Sequence, residues 1–491
     1  MESSSQGPAD RTIVVWYRRD LRVADNEALW AAVHSGARVV PVFVSSEDDE
    51  QPWQPGAAQR WWIHHSLVSL RAALAEIGLD LVVRKGAFAK SLIAIASEVG
   101  ADAVFANRRF EPHAASSDAE TDKVLSSGGI SLQLFDGFLL HDPAQIRTGA
   151  GGPYRVFTPF WRRLQEQLRV PPPVGAPELS LGQRTASPGG ASIDLGSIES
   201  LGLLPTVNWT AEIARTWVPS EAGAHAALDE FVTNRNSVYE SRRDFPAELG
   251  TSRVSPFLAN GQLSPRQIWY AVARSPTIAN ADAGAHPYLR QLGWREFSYH
   301  VLRHNPFTSD APLNARFVSF PWRRSKADLQ KWQRGQTGYP IVDAGMRELW
   351  ATGWMHNRVR MVVASFLTKH LLLNWRHGAA WFWDTLVDAD LGNNTMGWQW
   401  SAGTGADAQP YFRVFNPTTQ GKKFDRDGTY VRRWLPELAR LENKYLHAPW
   451  DAPDDVLERA GVRLGETYPK PIVPHAEARE RALAAYGQVK G

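Results

Sequence analysis

The chain has 491 residues, 43% of them hydrophobic and 21% charged, the composition of a globular protein too long for one ordinary core. It contains no cysteine, which excludes a disulfide framework, thiolate zinc sites and cysteine-bound iron–sulfur clusters, and fits a cytoplasmic location. Its net charge of +3 is unevenly spread: residues 1–150 carry 14 basic and 19 acidic side chains, whereas residues 151–491 carry 40 and 32, so the second part suits a phosphate-rich partner.

The opening "MESSSQGPADR" is polar, lacks the apolar run of a secretion signal and reads as a frayed tail. The short apolar runs "TIVVWY", "ARVVPVFV", "LDLVVRKG", "ADAVFA" and "SLQLFDG" then predict strands. Between them "NEALWAAVHSG", "AAQRWWIHHSLVSLRAALAEIG" and "AKSLIAIASEVG" space their apolar residues as helices do. This alternation predicts an α/β N-terminal domain over 1–147 with a parallel, five-stranded, Rossmann-like sheet. Neither G-x-G-x-x-G nor a Walker A sequence follows the first strand. Residues 148–223, with "GAGGP", "PPPVGAP" and "ASPGGAS", predict a long connector. From 224 to 491 helical periodicity and abundant tryptophan predict a large all-α domain. The most apolar stretch, "MVVASFLTKHLLL", is interrupted by Lys369 and His370, so no membrane span is expected.

Three clusters in the helical part carry chemistry. Thr251, Ser252, Arg253, Val254 and Ser255 precede the apolar "PFLANG", and small hydroxyls with backbone amides ahead of a helix can cradle a diphosphate; the same run also serves as a helix cap. In "GWMHNRVRM", Asn357 and Met361 share one helical face while Arg358 and Arg360 point elsewhere, which is equally the pattern of a core helix with a basic side. In "VDADLGNNTMGWQW", Asp388 and Asp390 precede Asn394, Trp398 and Trp400 without EF-hand spacing or a histidine partner, so no metal site is expected.

Together with "RRDLRVADNEAL", "GTSRVSPFL", "GWREF", "TGYPIVDAGMRELWATGWMHNRVRM" and "GWQWSAGTGADAQPYFRVFNPTTQGKKFD", in this order, these clusters resemble the photolyase/cryptochrome flavoproteins over nearly the whole chain. The resemblance implies FAD folded into a U inside the helical domain. Tyr239 and the run from Thr251 to Ser255 match its phosphate and ribityl contacts, Arg360 and Asp388 an ion pair beside the flavin, and Ala389 and Asp390 contacts to it. Asn394 matches the residue facing the redox-active ring nitrogen. An uncharged amide there is compatible with an anionic reduced flavin, whereas a carboxylate, which plant cryptochromes have, would repel it. Trp398, Trp375 and Trp322 match the chain of indoles that carries an electron from the surface to photoexcited flavin.

Trp294 and Trp400 match the aromatic walls of a pocket for a flipped-out lesion. Asn357 and Met361 match the enzymes for cyclobutane pyrimidine dimers, since the (6-4) photolyases have histidines at both positions for proton transfer. Arg243, Arg358 and Gln420 match DNA-contacting positions, with Lys422 and Lys423 as phosphate partners. Gln291 departs from the Glu usual in dimer enzymes three residues before the Trp of "WREF"; an amide cannot share an acidic proton, so less efficient splitting is expected. Glutamine there also occurs in the (6-4) group.

The resemblance implies light-driven repair of UV-damaged DNA by a monomer, with a cryptochrome-type photoreceptor as the competing reading and a (6-4) photolyase as a further one. The sequence closes soon after "HAEARERALAAYGQVKG", where many cryptochromes have a long extension, which favours repair. A second antenna chromophore, methenyltetrahydrofolate or a deazaflavin, is implied for the first domain. "NRRFEPHAASSD" lacks the Asn-Glu pair that binds folate in some members, and Glu111 within it reads as a surface acid.

Overall fold

The computed structural model describes residues 11–180, 183, 193–275 and 286–489; residues 1–10 of the expected tail and "ASPGGAS" of the expected connector lie outside them. Strands β1 (Thr12–Tyr17), β2 (Arg38–Ser45), β3 (Val82–Lys85), β4 (Ala103–Asn107) and β5 (Ser131–Phe135) form one sheet of order β3-β2-β1-β4-β5. Every pairing is parallel, so each connection must cross over the sheet, and helices α1 (Glu27–His34), α2 (Ala57–Glu76), α3 (Phe88–Val99) and α4 (Pro112–Ser127) do so. All of β1 is buried. Ile13, Val15 and Tyr17 join Leu29, Leu67 and Leu74 on one face, while Val14 and Trp16 join Leu92, Ile95 and Leu125 on the other. A strand covered on both faces has no polar side, which is why these segments read as continuous apolar runs.

The region read as a connector contains a helix, α5 (Phe157–Gln167), that buries Phe157, Phe160, Trp161 and Leu164. Their spacing of i, i+3, i+4, i+7 makes one apolar stripe, which packs on the helix Leu289–His304.

The helices Leu289–His304, Pro340–Thr352, Asn357–Ser365, Trp375–Thr385, Leu391–Ala402 and Pro417–Phe424 position the candidate site. The Leu289, Asn357 and Trp375 helices all pack on the Leu391 helix, and the Pro340 helix lies against the Asn357 and Pro417 helices. Side-chain caps fix where three of them begin: Asp390 Oδ1 accepts from Asn393 N at 2.8 Å, His356 Nδ1 from Arg358 N at 3.1 Å and Asn374 Oδ1 from Arg376 N at 3.0 Å.

The sheet and the helical part meet directly. Gly261 has φ +76°, and a Cβ there would lie 2.1 Å from the Arg19 carbonyl oxygen, so only glycine allows this approach. Beside it Trp62 Nε1 donates to Gln262 Oε1 at 2.8 Å, and Gln59 Nε2 to the Ala389 carbonyl at 3.0 Å. Among the described residues no helix is long and apolar enough to cross a membrane.

Candidate active site

The polar run from Thr251 to Ser255 folds back on the segment before the Leu391 helix. Arg253 adopts φ +55°, which turns the chain sharply ahead of the short helix Ser255–Ala259. The Ser255 hydroxyl donates to Asp388 Oδ2 at 2.7 Å, and Arg360 Nη2 donates to the same oxygen at 2.8 Å. Trp354 Nε1 donates back to Ser255 Oγ at 3.2 Å. Residues far apart in sequence therefore close on one carboxylate. Ser252 accepts the Tyr288 hydroxyl at 2.9 Å, and the Tyr239 ring meets Tyr288 edge to face at 5.2 Å, while Val254 is buried and the Thr251 carbonyl accepts from Arg235 at 3.2 Å. The Arg253 guanidinium lies between the rings of Trp217 (4.9 Å) and Trp354 (4.7 Å).

Asp390, Ala389 and Asn394 are placed by the start of the Leu391 helix. Asp390 Oδ2 accepts the Tyr299 hydroxyl at 2.6 Å, the Ala389 carbonyl accepts from Arg19 at 2.7 Å, and Asn394 Nδ2 donates to the Ala379 carbonyl at 3.0 Å. One turn on from Asn394 is Trp398, buried, with its ring edge to face with Phe382 at 5.0 Å. Trp375 opens the facing helix and is buried; Gly378, one turn further, is bare so that Trp398 can lie against that helix, because a Cβ there would sit 2.0 Å from the indole. Trp322 is half-buried, and its neighbour Arg323 bridges to Leu373 just before Trp375. Trp398 and Trp375 are thus both buried on facing helices, and Trp322 is half-buried on the neighbouring segment.

Trp294 and Gln291 stand one turn apart on the Leu289 helix, and Trp400 lies near the end of the helix packed against it. Trp294 is stacked on Phe157 at 3.7 Å with planes 9° apart, so α5 backs one face of the indole. Gln291 Nε2 donates to the Pro287 carbonyl at 3.2 Å. Asn357 is exposed at the first turn of its helix, and its amide approaches Met361 Sδ at 4.0 Å. Arg358 turns away, pairing with Asp244 at 2.8 Å; Arg243 lies over the Tyr239 ring at 5.7 Å, and Gln420 is on the Pro417 helix beside Arg358.

Behind these groups lie residues that the sequence patterns do not single out. Glu348 is buried and accepts the Tyr430 hydroxyl at 2.6 Å; burial pushes its carboxyl up to about 7 against that hydrogen bond and the pull of Arg253 and Arg360. Burial brings His356 down to about 4, so the helix cap is neutral imidazole at pH 7. Trp332, fully buried, meets Trp398 edge to face at 6.1 Å. Phe157 was legible only through the apolar stripe of α5, amid a segment dominated by glycine and proline.

The profile of the FAD binding domain of DNA photolyase matches residues 288–488, and that of DNA photolyase matches residues 13–178. The deoxyribodipyrimidine photo-lyase of Agrobacterium fabrum is 47% identical over 97% of this chain and 98% of that protein. The chain belongs to the photolyase/cryptochrome family. A crystal structure of a bacterial class III photolyase from Agrobacterium tumefaciens superposes with a TM-score of 0.92 at 46% identity, covering 100% of both chains. Cryptochrome-2 of Arabidopsis thaliana is 38% identical over 98% of this chain and 79% of its own length.

The residues of this photolyase-family chain fit the flavin dinucleotide of its FAD-binding domain. Asp388 Oδ1 and Arg253 Nε are buried without hydrogen-bond partners among the described residues, the condition of groups that complete their bonding with a polar ligand. The sheet crevice is different. Open α/β sheets bind ligands where strand order reverses, here at the carboxyl ends of β1 and β4. That crevice is filled: Glu111 is not a surface acid but fully buried, paired with Arg109 at 3.3 Å and Arg19 at 3.4 Å. Burial alone would raise its carboxyl, but Arg109, Arg19 and His113 outweigh it and hold it well below the usual range. Glu50 closes the cluster from β2's side by binding Arg109 and His113. The cavity left between Arg19, Arg109 and Gly261 measures about 10 Å³, room for a single water at most. A deazaflavin or folate does not fit there.

Proposed function

We propose that this chain is a light-driven lyase that reopens cyclobutane pyrimidine dimers in UV-damaged DNA. FAD, reduced and bound in the helical part, supplies on illumination the electron that splits the dimer and receives it back. The chain's own residues hold, orient and shield. Arg360 and Asp388 fix each other beside the flavin, with Tyr239 and the Thr251–Ser255 turn on its phosphate and ribityl side. Asn394 and Asp390 face the flavin ring from the start of the Leu391 helix. Trp322, Trp375 and Trp398 relay electrons inward from the surface.

The lesion lies between the Trp294 and Trp400 indoles. Extrusion of the dinucleotide costs a few kcal/mol, and stacking on aromatic faces returns about 1–3 kcal/mol per base. The observation that carries the choice of lesion is the Asn357–Met361 pair, an exposed amide in contact with a half-buried thioether at the start of its helix. Neither side chain titrates, so the pair offers an amide and a polarisable thioether but no proton relay. A dimer needs only its two ring bonds broken, whereas the (6-4) rearrangement needs proton transfer.

We assign residues 1–147 to an antenna-chromophore domain, 148–223 to the connector and 224–491 to flavin and DNA, in a monomer acting in the cytoplasm. The antenna lies outside the filled sheet crevice. The purified protein, loaded with flavin, is to be illuminated with oligonucleotides carrying either lesion. Restoration of the dimer alone is expected; restoration of the (6-4) product, or of neither, overturns the assignment.

A further inference from the structure

Trp294 and Trp400 stand on different helices, and a contact outside both helices ties them together. The Leu391 helix gives way at Gly403, φ +77°, to the loop "GTGADAQ", which returns to its origin: Gly403 N and Gln409 N both donate to the Trp400 carbonyl at 3.2 Å. From this loop Asp407 reaches α5. Its backbone N donates to the Arg155 carbonyl at 3.0 Å, and its Oδ2 accepts from Phe157 N at 3.3 Å. The Phe157 amide is one that a helix leaves without an internal partner, and Val156 before it has no side-chain acceptor to offer. Asp407 therefore supplies the cap from 250 residues away, at the positive end of the helix dipole. Phe157, fixed at this first helical position, is the ring stacked on Trp294 at 3.7 Å, and Arg290, one turn before Trp294, lies over the same ring at 5.2 Å. Ala406 is buried in the apolar cluster that holds Phe157 and Trp294. Asp407 adopts φ +46°, in the left-handed region that favours glycine. Glycine would fit that backbone at less cost, so what aspartate adds is its carboxylate.

We propose that Asp407 is a positioning residue for the lesion pocket: its clasp on Arg155 and Phe157 joins the loop after Trp400 to the ring behind Trp294, and so sets the separation and tilt of the two walls before a dimer arrives. The inference rests on the reading of Trp294 and Trp400 as those walls. A wall already held in place loses no rotamer freedom on binding, a loss that otherwise costs about 0.5–1.5 kcal/mol per side chain. Among the described residues the hydrogen-bond partners of Asp407 are Arg155 and Phe157, which belong neither to the electron relay nor to the cations around Asn357. The clasp thus acts on recognition of the flipped-out bases and leaves photoreduction and phosphate binding alone.

The test compares Asp407→Gly, Asp407→Asn and Phe157→Leu with the parent, each loaded with flavin, by anisotropy titration in the dark with single strands that carry a dimer or none. Asp407→Gly relaxes the backbone and removes the acceptor. Its preference for the dimer over the undamaged strand is expected to fall about fivefold, with undamaged-strand binding and flavin photoreduction unchanged. Asp407→Asn keeps an acceptor, tolerates the left-handed region and is expected to retain the preference. Phe157→Leu breaks the link at its other end and is expected to match Asp407→Gly, and the double variant to fall no further, because one device is lost twice. Parental preference in Asp407→Gly, an equal loss of undamaged-strand binding, an asparagine variant as impaired as the glycine one, or losses that add in the double variant would each overturn the proposal. A parent protein with no preference for the dimer would instead overturn the pocket reading beneath it.

Discussion

Trp375 is the middle step of the proposed electron relay and is buried at the first position of its helix. Phenylalanine keeps its apolar bulk but holds its electrons too tightly to pass one on. Trp375→Phe is therefore expected to stop the bleaching of oxidised flavin absorbance under blue light, while the variant reduced by dithionite still restores dimers; unchanged bleaching would remove this residue from the relay. Glu348 has a different consequence. Its folded-state value of about 7 lies above the ordinary 4.5, so its contribution to stability is full below pH 4.5 and is lost as pH rises through 7. Glu348→Gln retains an acceptor for the Tyr430 hydroxyl and has no charge to desolvate. Across that window unfolding stability is expected to shift in the variant's favour by on the order of 3 kcal/mol, measured by thermal unfolding at a series of pH values. A constant gap between the two proteins would show that Glu348 titrates normally.

The elements differ in how openly the sequence declares them. The strands are legible because burial on both faces leaves β1 and β2 without polar positions between their ends, whereas the Asp390 cap that starts the Leu391 helix shows only in the structure. Helix α5 carries a clean apolar stripe, yet glycine and proline on either side mask it, and its partner Trp294 lies more than a hundred residues away. Glu111 shows the limit most clearly: its burial depends on Arg19 after β1 and Arg109 after β4, which only the order of the sheet brings together. The closeness of the Trp375 and Leu391 helices is likewise invisible until Gly378 is seen under Trp398. Gly378→Ala would drive a methyl into the indole. Stability is expected to fall by about 1–3 kcal/mol in denaturant unfolding, with slower flavin photoreduction because Trp398 is displaced. An alanine variant equal to the parent in both would mean that the helices can separate at no cost.

At the scale of the whole molecule, the close approach of Gly261 to Arg19 and the hydrogen bonds of Arg19 and Gln59 to the Ala389 carbonyl join the first part of the chain to the helices, while the net positive charge lies on residues 151–491. Arg243, Arg358, Lys422 and Lys423 gather around the Asn357 end of the site from three segments of chain, an arrangement suited to a phosphate backbone. Four such contacts would cost about 100-fold in affinity for a dimer-containing duplex between 50 and 200 mM salt, and a flat response would contradict a basic groove. The sequence shows this imbalance of charge, but not the convergence of the four cations, which depends on the Pro417 and Asn357 helices sharing the Pro340 helix as a neighbour.

Light-driven splitting returns its electron, so repair requires photons but consumes no reductant. The direct measurement is the number of dimers restored per flavin when protein reduced once, and freed of reductant without air, is illuminated with excess dimer-containing oligonucleotide, beside a dark control. Many restorations per flavin in the light and none in the dark are expected. Restoration that halts at one dimer per flavin, or that proceeds in the dark, would contradict a redox-neutral photolyase.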